Sequence, residues 1–143
     1  MNSEYYIEHR DNLDDCLVEL HKLLDICYPN PPQDVFYRLV AQYRPGFPAW
    51  IARAQTGDIA GFVHLAPNSK GGTLETLAVS PEHRGRGIAH SLVLRLVQAT
   101  DGVVSLTTRI PDFFKAMNFE NVMKLEDGSI FMIRVKDKEA NLL

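Results

Sequence analysis

The sequence is poor in the features that mark metal proteins, membrane proteins and nucleic-acid binders. Of its 143 residues only Cys16 and Cys27 are cysteine. They form no CxxC pair and no histidine cluster stands at metal-ligand spacing, so no metal site is expected. Both thiols fall on an apolar helical stripe and read as reduced core residues, which suits a reducing compartment. No apolar run approaches the ~20 residues that a membrane-spanning helix needs, so no membrane is expected as a partner. The opening Met1-Asn2-Ser3-Glu4 lacks the basic start and apolar stretch of a signal peptide, and a cytoplasmic location is expected. A basic excess is missing too. Fifteen Lys and Arg stand against 18 Asp and Glu, a formal charge of -3, whereas a broad nucleic-acid footprint needs surplus cations.

What is present fits one globular domain spanning 1–143. Hydrophobic residues make up 45% of the chain, enough for one core. No repeat, low-complexity tract or linker interrupts the elements. Residues 5–9 are rich in β-formers and predict a strand. Leu13, Cys16, Leu17, Leu20, Leu24 and Cys27 recur at helical spacing behind Asn12, a plausible N-cap. Tyr28-Pro29-Asn30-Pro31-Pro32 ends that helix, because proline cannot continue it. Val35, Leu39 and Val40 mark a second helix. A strand meander follows at 49–54, 59–65 and 73–79, with 67–72 as a loop. Ile88, Leu92, Leu96 and Ala99 give a third helix its apolar face. A buried-looking strand at 103–107, a short helix at 112–117 and a hairpin of strands 119–125 and 130–135 complete the chain. The order βααβββαβαββ is a mixed α/β domain on one sheet. The hairpin strand 130–135 is apolar enough to invite pairing with a second copy, so a homodimer is possible. The tail from 136 onward reads as frayed.

The most informative stretch is Leu77-Ala78-Val79-Ser80-Pro81-Glu82-His83-Arg84-Gly85-Arg86-Gly87-Ile88-Ala89. A strand runs into a two-glycine loop that opens a helix. The first turn of a helix has N–H groups without intrahelical partners, and its dipole places about half a positive charge there. Phosphates bind such ends. Glycine lets backbone approach a phosphate closely, and Arg84 and Arg86 add forked donors. The G-x-G-x-x-G fingerprint fails, since Gly85-Arg86-Gly87-Ile88-Ala89-His90 ends in histidine, and no G-K-[ST] is present. NAD and ATP therefore lose ground.

Arg84-Gly85-Arg86-Gly87-Ile88-Ala89 resembles the R/Q-x-x-G-x-G/A signature of the GNAT superfamily of N-acyltransferases. Leu77 to His83 is similar to the strand and V-x-P-x-x-R-G approach of that family. Phe113-Phe114-Lys115-Ala116-Met117-Asn118-Phe119 resembles its later F-Y-x-x-x-G-F element. The resemblance implies a GNAT-like domain with splayed fourth and fifth strands and acetyl-CoA as co-substrate. It implies that Leu77, Ala78 and Val79 offer backbone groups to the pantetheine arm. Arg84, Gly85, Arg86, Gly87, Ile88 and Ala89 would wrap the pyrophosphate. Many relatives carry tyrosine where Phe114 stands, and phenylalanine has no proton to give a departing thiolate. Asn118 stands where glycine is common, and asparagine tolerates a left-handed backbone.

Acyl transfer to an amine needs a base, a donor for the developing oxyanion and a leaving thiolate. A backbone N–H at Leu77 or Ala78 is the candidate oxyanion donor. Glu75, which by period two shares a face with Thr73 and Leu77, is one candidate base. His64 on the neighbouring strand is the other. Leu106-Thr107-Thr108-Arg109 is similar to the matching stretch of amino-acid N-acetyltransferase domains. Thr107 and Thr108 can hydrogen-bond the cofactor arm, and Arg109 can take a substrate carboxylate or pair with a surface acid. The expected function is acetyl transfer from acetyl-CoA to a primary amine of a small molecule such as an amino acid. A protein amino group, or a non-catalytic acyl-CoA-binding module without a tyrosine at Phe114, are the alternatives.

Overall fold

A computed structural model describes residues 4–28 and 34–136. The prolines placed after the first helix and the tail from 137 lie outside the described residues. One seven-stranded sheet organises the chain, in the order β1-β2-β3-β4-β5-β7-β6. The strands are β1 (Tyr5–Arg10), β2 (Ala49–Ala54), β3 (Ile59–Asn68), β4 (Gly71–Val79), β5 (Val103–Thr108), β6 (Glu120–Lys124) and β7 (Ile130–Val135). All neighbours are antiparallel except β4 and β5, which run parallel. The helices are α1 (Leu17–Cys27), α2 (Asp34–Gln42), α3 (Ile88–Ala99) and the short α4 (Pro111–Lys115). No helix among the described residues is long and apolar enough to cross a membrane.

The hydrophobic pattern explains the layers. In α3, Ile88, Leu92, Val93, Leu96 and Val97 are all buried and recur at helical spacing. They pack on the sheet with Trp50, Val63, Val104 and Met132, and α4 adds Phe114 to that side. On the opposite side Leu20, Leu23 and Leu24 of α1 and Leu39 of α2 cover Ala49, Ile51 and Phe62. Each large aliphatic side chain buried in this way contributes about 1.5–3 kcal/mol relative to exposure.

Several boundaries differ from expectation. The first helix does not begin at Leu13. A 3-10 turn, Asp14–Cys16, precedes α1. Asn12 caps neither element: Leu13 is the N-cap of the turn and Cys16 that of α1, and the Asn12 side chain only accepts from the Asp14 N–H at 2.8 Å. The loop expected at 67–72 shrinks, because β3 extends through Pro67 to Asn68 and pairs with Gly71 and Gly72. Proline did not stop β3, since it needs only one side without a donor. The dimer edge expected at 130–135 is an interior strand. There β7 lies between β5 and β6, and the free edge at this end of the sheet is β6, exposed along its whole length. Asn118 does adopt the left-handed backbone, with φ 69°.

Candidate active site

The site begins where β4 and β5 part. Their pairing covers only Gly71–Val103, Gly72–Val104 and Thr73–Ser105. The last pair is also tied through side chains, Thr73 Oγ1 to Ser105 Oγ at 3.0 Å. Beyond it both strands continue without pairing, so the facing edge of β4 is open. The direction of its backbone groups follows from the antiparallel ladder with β3. The Ser80 N–H bonds to the Ala60 carbonyl, which makes Ser80, Ala78 and Thr76 the residues hydrogen-bonded to β3. Leu77 and Val79 therefore turn their N–H and C=O groups into the opening. Between the two candidate oxyanion donors this separates Leu77, which faces the opening, from Ala78, whose amide faces Phe62.

The open carbonyls are capped by side chains. Tyr28 Oη donates to the Leu77 carbonyl at 2.8 Å. Cys27 Sγ and Arg84 Nε both donate to the Val79 carbonyl, at 3.4 and 3.0 Å. The C-terminal end of α1 is thus stitched to the edge that β5 has left. Burial pushes the Tyr28 phenol and the Cys27 thiol up from their ordinary pKa values, with Arg84 opposing the shift at Cys27. Both side chains therefore stay protonated donors near neutral pH.

Glu75 owes its place to a β-bulge. His64 pairs with Thr76 and the next residue, Leu65, pairs with Leu74, so Glu75 has no partner on β3. A bulge inserts one residue and breaks the alternation of faces. Leu74 before it and Leu77 and Val79 after it all reach the same core cluster, although their numbers differ in parity. The expected period-two face of Thr73, Glu75 and Leu77 does not exist. Glu75 is instead exposed and lines the cleft that opens between β4 and β5. That cleft holds about 330 Å³ and also takes in Tyr28, Leu77, Thr107, Thr108, Arg109 and Phe114.

His64 is not brought to the cleft. It is 1% exposed and lies on the α1–α2 side, with its ring stacked on Phe62 at 5.7 Å and edge-to-face with Tyr43 at 6.4 Å. Neither ring nitrogen has a hydrogen-bond partner among the described residues. Burial alone lowers its pKa to about 4, so it is a neutral core residue at pH 7. Arg109 borders the cleft, but its guanidinium donates to the Asp127 carbonyl at 2.9 Å and carboxylate at 3.1 Å. The surface pairing, rather than a free fork, is what the structure holds. Thr107 is exposed to the cleft, whereas Thr108 is buried and its hydroxyl accepts from the Ile110 N–H at 2.9 Å.

At the Val79 end the loop forms a hollow of about 210 Å³ lined by Val79, His83, Arg84, Gly85, Gly87, Ile88 and Ala89, with His90 and Phe113. Gly85 and Gly87 both have φ of 79°, a left-handed backbone that costs other L-residues about 1–2 kcal/mol. Gly87 is the N-cap of α3 and supplies no side-chain cap. The first intrahelical bond runs from the Ser91 N–H to the Gly87 carbonyl. The amides of Ile88, Ala89 and His90 precede it and have no intrahelical carbonyl to meet, so they form a cradle beside the hollow of a kind that favours anions. Only one of the two arginines serves it. Arg86 turns away to Glu4, at 3.0 Å, and lines a different depression. His83, His90 and Phe113 were not foreseen. His83 had a signal only in three dimensions, since its Nδ1 meets Tyr5 Oη at 2.7 Å across the fold.

A parted parallel strand pair, a bulged carboxylate beside it and an amide cradle at one end lie along a single open edge. Comparisons with known proteins give the family. The model of the acetyltransferase (GNAT) family matches residues 17–119, and the chain belongs to that family. Solved structures with the same fold include an acyl-CoA N-acyltransferase from Pseudomonas aeruginosa. It is 17% identical with a TM-score of 0.76, over 92% of this chain and 99% of that one. An aminoglycoside 6'-N-acetyltransferase complexed with coenzyme A is also 17% identical at TM-score 0.76, over 91% of this chain and 96% of that one. The PaiA N-acetyltransferase from Thermoplasma acidophilum, in complex with coenzyme A, is 14% identical at TM-score 0.67, over 91% and 99%. No curated protein sequence matches this chain.

Proposed function

We propose that the chain is an N-acetyltransferase that moves the acetyl group of acetyl-CoA to the primary amine of a small molecule. The observation that carries this reading is Glu75, bulged out of the ladder beside the outward-facing Leu77 amide, on an edge that ends in the anion cradle. The residues fit the donor. Unpaired amides at the start of α3, with Arg84, suit a diphosphate. The backbone of Leu77 and Val79 suits the amides of an extended arm, and Tyr28, Cys27 and Arg84 would yield the carbonyls they now cap. When bound, acetyl-CoA supplies an acyl carbon activated as a thioester.

The remaining work falls to the chain. Glu75 takes a proton from the incoming ammonium, directly or through water, and leaves the amine nucleophilic. The Leu77 N–H donates where negative charge develops on the acyl oxygen. Phe114, 4% exposed at the floor of the cleft, excludes water and gives no proton. A thiol with a pKa of about 8.5 leaves as thiolate without a dedicated acid at neutral pH.

Glu75→Gln keeps the shape and removes the base. The expected result is a fall in kcat/KM of about 100- to 10,000-fold in a thiol-release assay with an amine panel. The heat of coenzyme A binding should be unchanged. An unaltered kcat/KM removes Glu75 from the mechanism, and absence of any heat with coenzyme A overturns the whole reading.

A further inference from the structure

The opened edge has two ends, and they differ in charge. The cradle at the Val79 end takes the phosphates. At the other end, where Thr73 and Ser105 pin the strands together, a second cavity of about 360 Å³ lies between α2 and β4. Its walls include Tyr28 and Val35 on one side and Thr73, Glu75 and Thr107 on the other. Thr76 of β4 and Arg38 of α2, the latter exposed to solvent, line it as well. Arg38 is near enough to Tyr28 for its positive charge to favour the ionised phenol. Among the described residues the cavity therefore presents one carboxylate and one guanidinium across a small space whose other polar groups are hydroxyls.

We propose, resting on the acetyltransferase reading above, that the acceptor is an amine bearing a carboxylate, with Arg38 as the residue that selects it. The acceptor's ammonium faces Glu75, and its carboxylate takes the fork of Arg38. A cationic acceptor without an anionic group leaves Arg38 repelled by it. Arg109, the other guanidinium at the cleft, is already engaged by Asp127 at two points. The cavity is on the far side of Glu75 from the cradle, so it receives the acceptor and not the phosphates of the donor.

The test compares amino acids with their own carboxamides, which keep the amine and lose the anion. The wild-type protein should acetylate the carboxylates with higher kcat/KM than the matched amides. Arg38→Gln should lower kcat/KM for the carboxylates about 10- to 100-fold, mainly through KM, and leave the amides within about twofold. Arg38→Glu should reverse the preference. Calorimetry with coenzyme A alone separates the two readings. An Arg38→Gln protein that binds coenzyme A normally but keeps the wild-type ratio of carboxylate to amide overturns the role of Arg38 and leaves the acetyltransferase reading standing. A wild-type preference for amides overturns it as well. Weakened coenzyme A binding in Arg38→Gln makes Arg38 a donor contact and overturns it. Loss of the carboxylate preference with intact coenzyme A binding supports it.

Discussion

At the scale of single residues, charge and burial decide what each group can do. His64 is the sharpest case. A buried imidazole with no hydrogen-bond partner among the described residues carries a penalty for being charged, which holds its pKa near 4. The unfolded chain has an ordinary histidine at about 6.5. Between those values the unfolded state binds a proton that the folded state refuses. Stability is therefore fully present above about pH 6.5 and is lost progressively as pH falls toward about 4, by up to ~3 kcal/mol from this group. His64→Leu should flatten the fall of Tm in that window and leave Tm at pH 7 equal or higher, since it removes two unsatisfied nitrogens. It should also retain turnover. A steep pH dependence persisting in His64→Leu would assign it to other groups, and lost turnover with intact folding would return His64 to the chemistry. The sequence could name His64 as a titratable residue beside the site strand. It could not tell that the ring points to the α1–α2 layer, because that depends on which face of β3 each helix covers.

At the scale of elements, the cleft depends on holding β4 and β5 together at one end and apart at the other. The closed end is held by close backbone approach. Gly102 has φ of 93°, and a Cβ there would lie 2.2 Å from the Lys70 carbonyl oxygen. Gly102→Ala combines left-handed strain with a clash that only backbone movement relieves. It should cost at least about 2 kcal/mol, read as a lower urea midpoint with an unchanged m-value. A loss below about half of that would mean the strand ends yield easily and do not fix the cleft. The elements themselves were largely legible. The apolar spacing of Leu92 and Leu96 marked α3, and the Arg84 to Ala89 segment marked the turn into it. The bulge at Glu75 was not legible, because no glycine or proline announces it. It exists only as a mismatch of register between β3 and β4.

For the whole molecule, ligand binding and stability are linked. The cradle and the open edge draw on α1, β4, the Gly85 loop and α3 together, so an occupant should tighten the entire sheet. Coenzyme A at about 100 times its Kd should add ~2.7 kcal/mol and raise Tm by roughly 5–10 °C for a chain of this size. Gly87→Ala should erase most of that rise, because its backbone would leave the left-handed conformation that aims the α3 amides. An equal rise in wild type and Gly87→Ala would place coenzyme A somewhere other than the loop.

The sequence by itself determined the order of the elements, the helix-opening glycine loop and the membership of the acetyltransferase family that those patterns carry. Such features are local: they rest on spacing of three or four residues along a helix, on alternation in strands, and on what glycine and arginine do at a helix start. The tertiary structure alone decided that Arg84 lines the cradle while Arg86 pairs with Glu4, that Arg109 is engaged by Asp127, and that Tyr28 and Arg38 join Glu75 at the second cavity. Those outcomes depend on which distant segments meet. Charge and hydrogen-bonding capacity are written in each residue, but the partner that uses them is set only when the sheet closes over its helices.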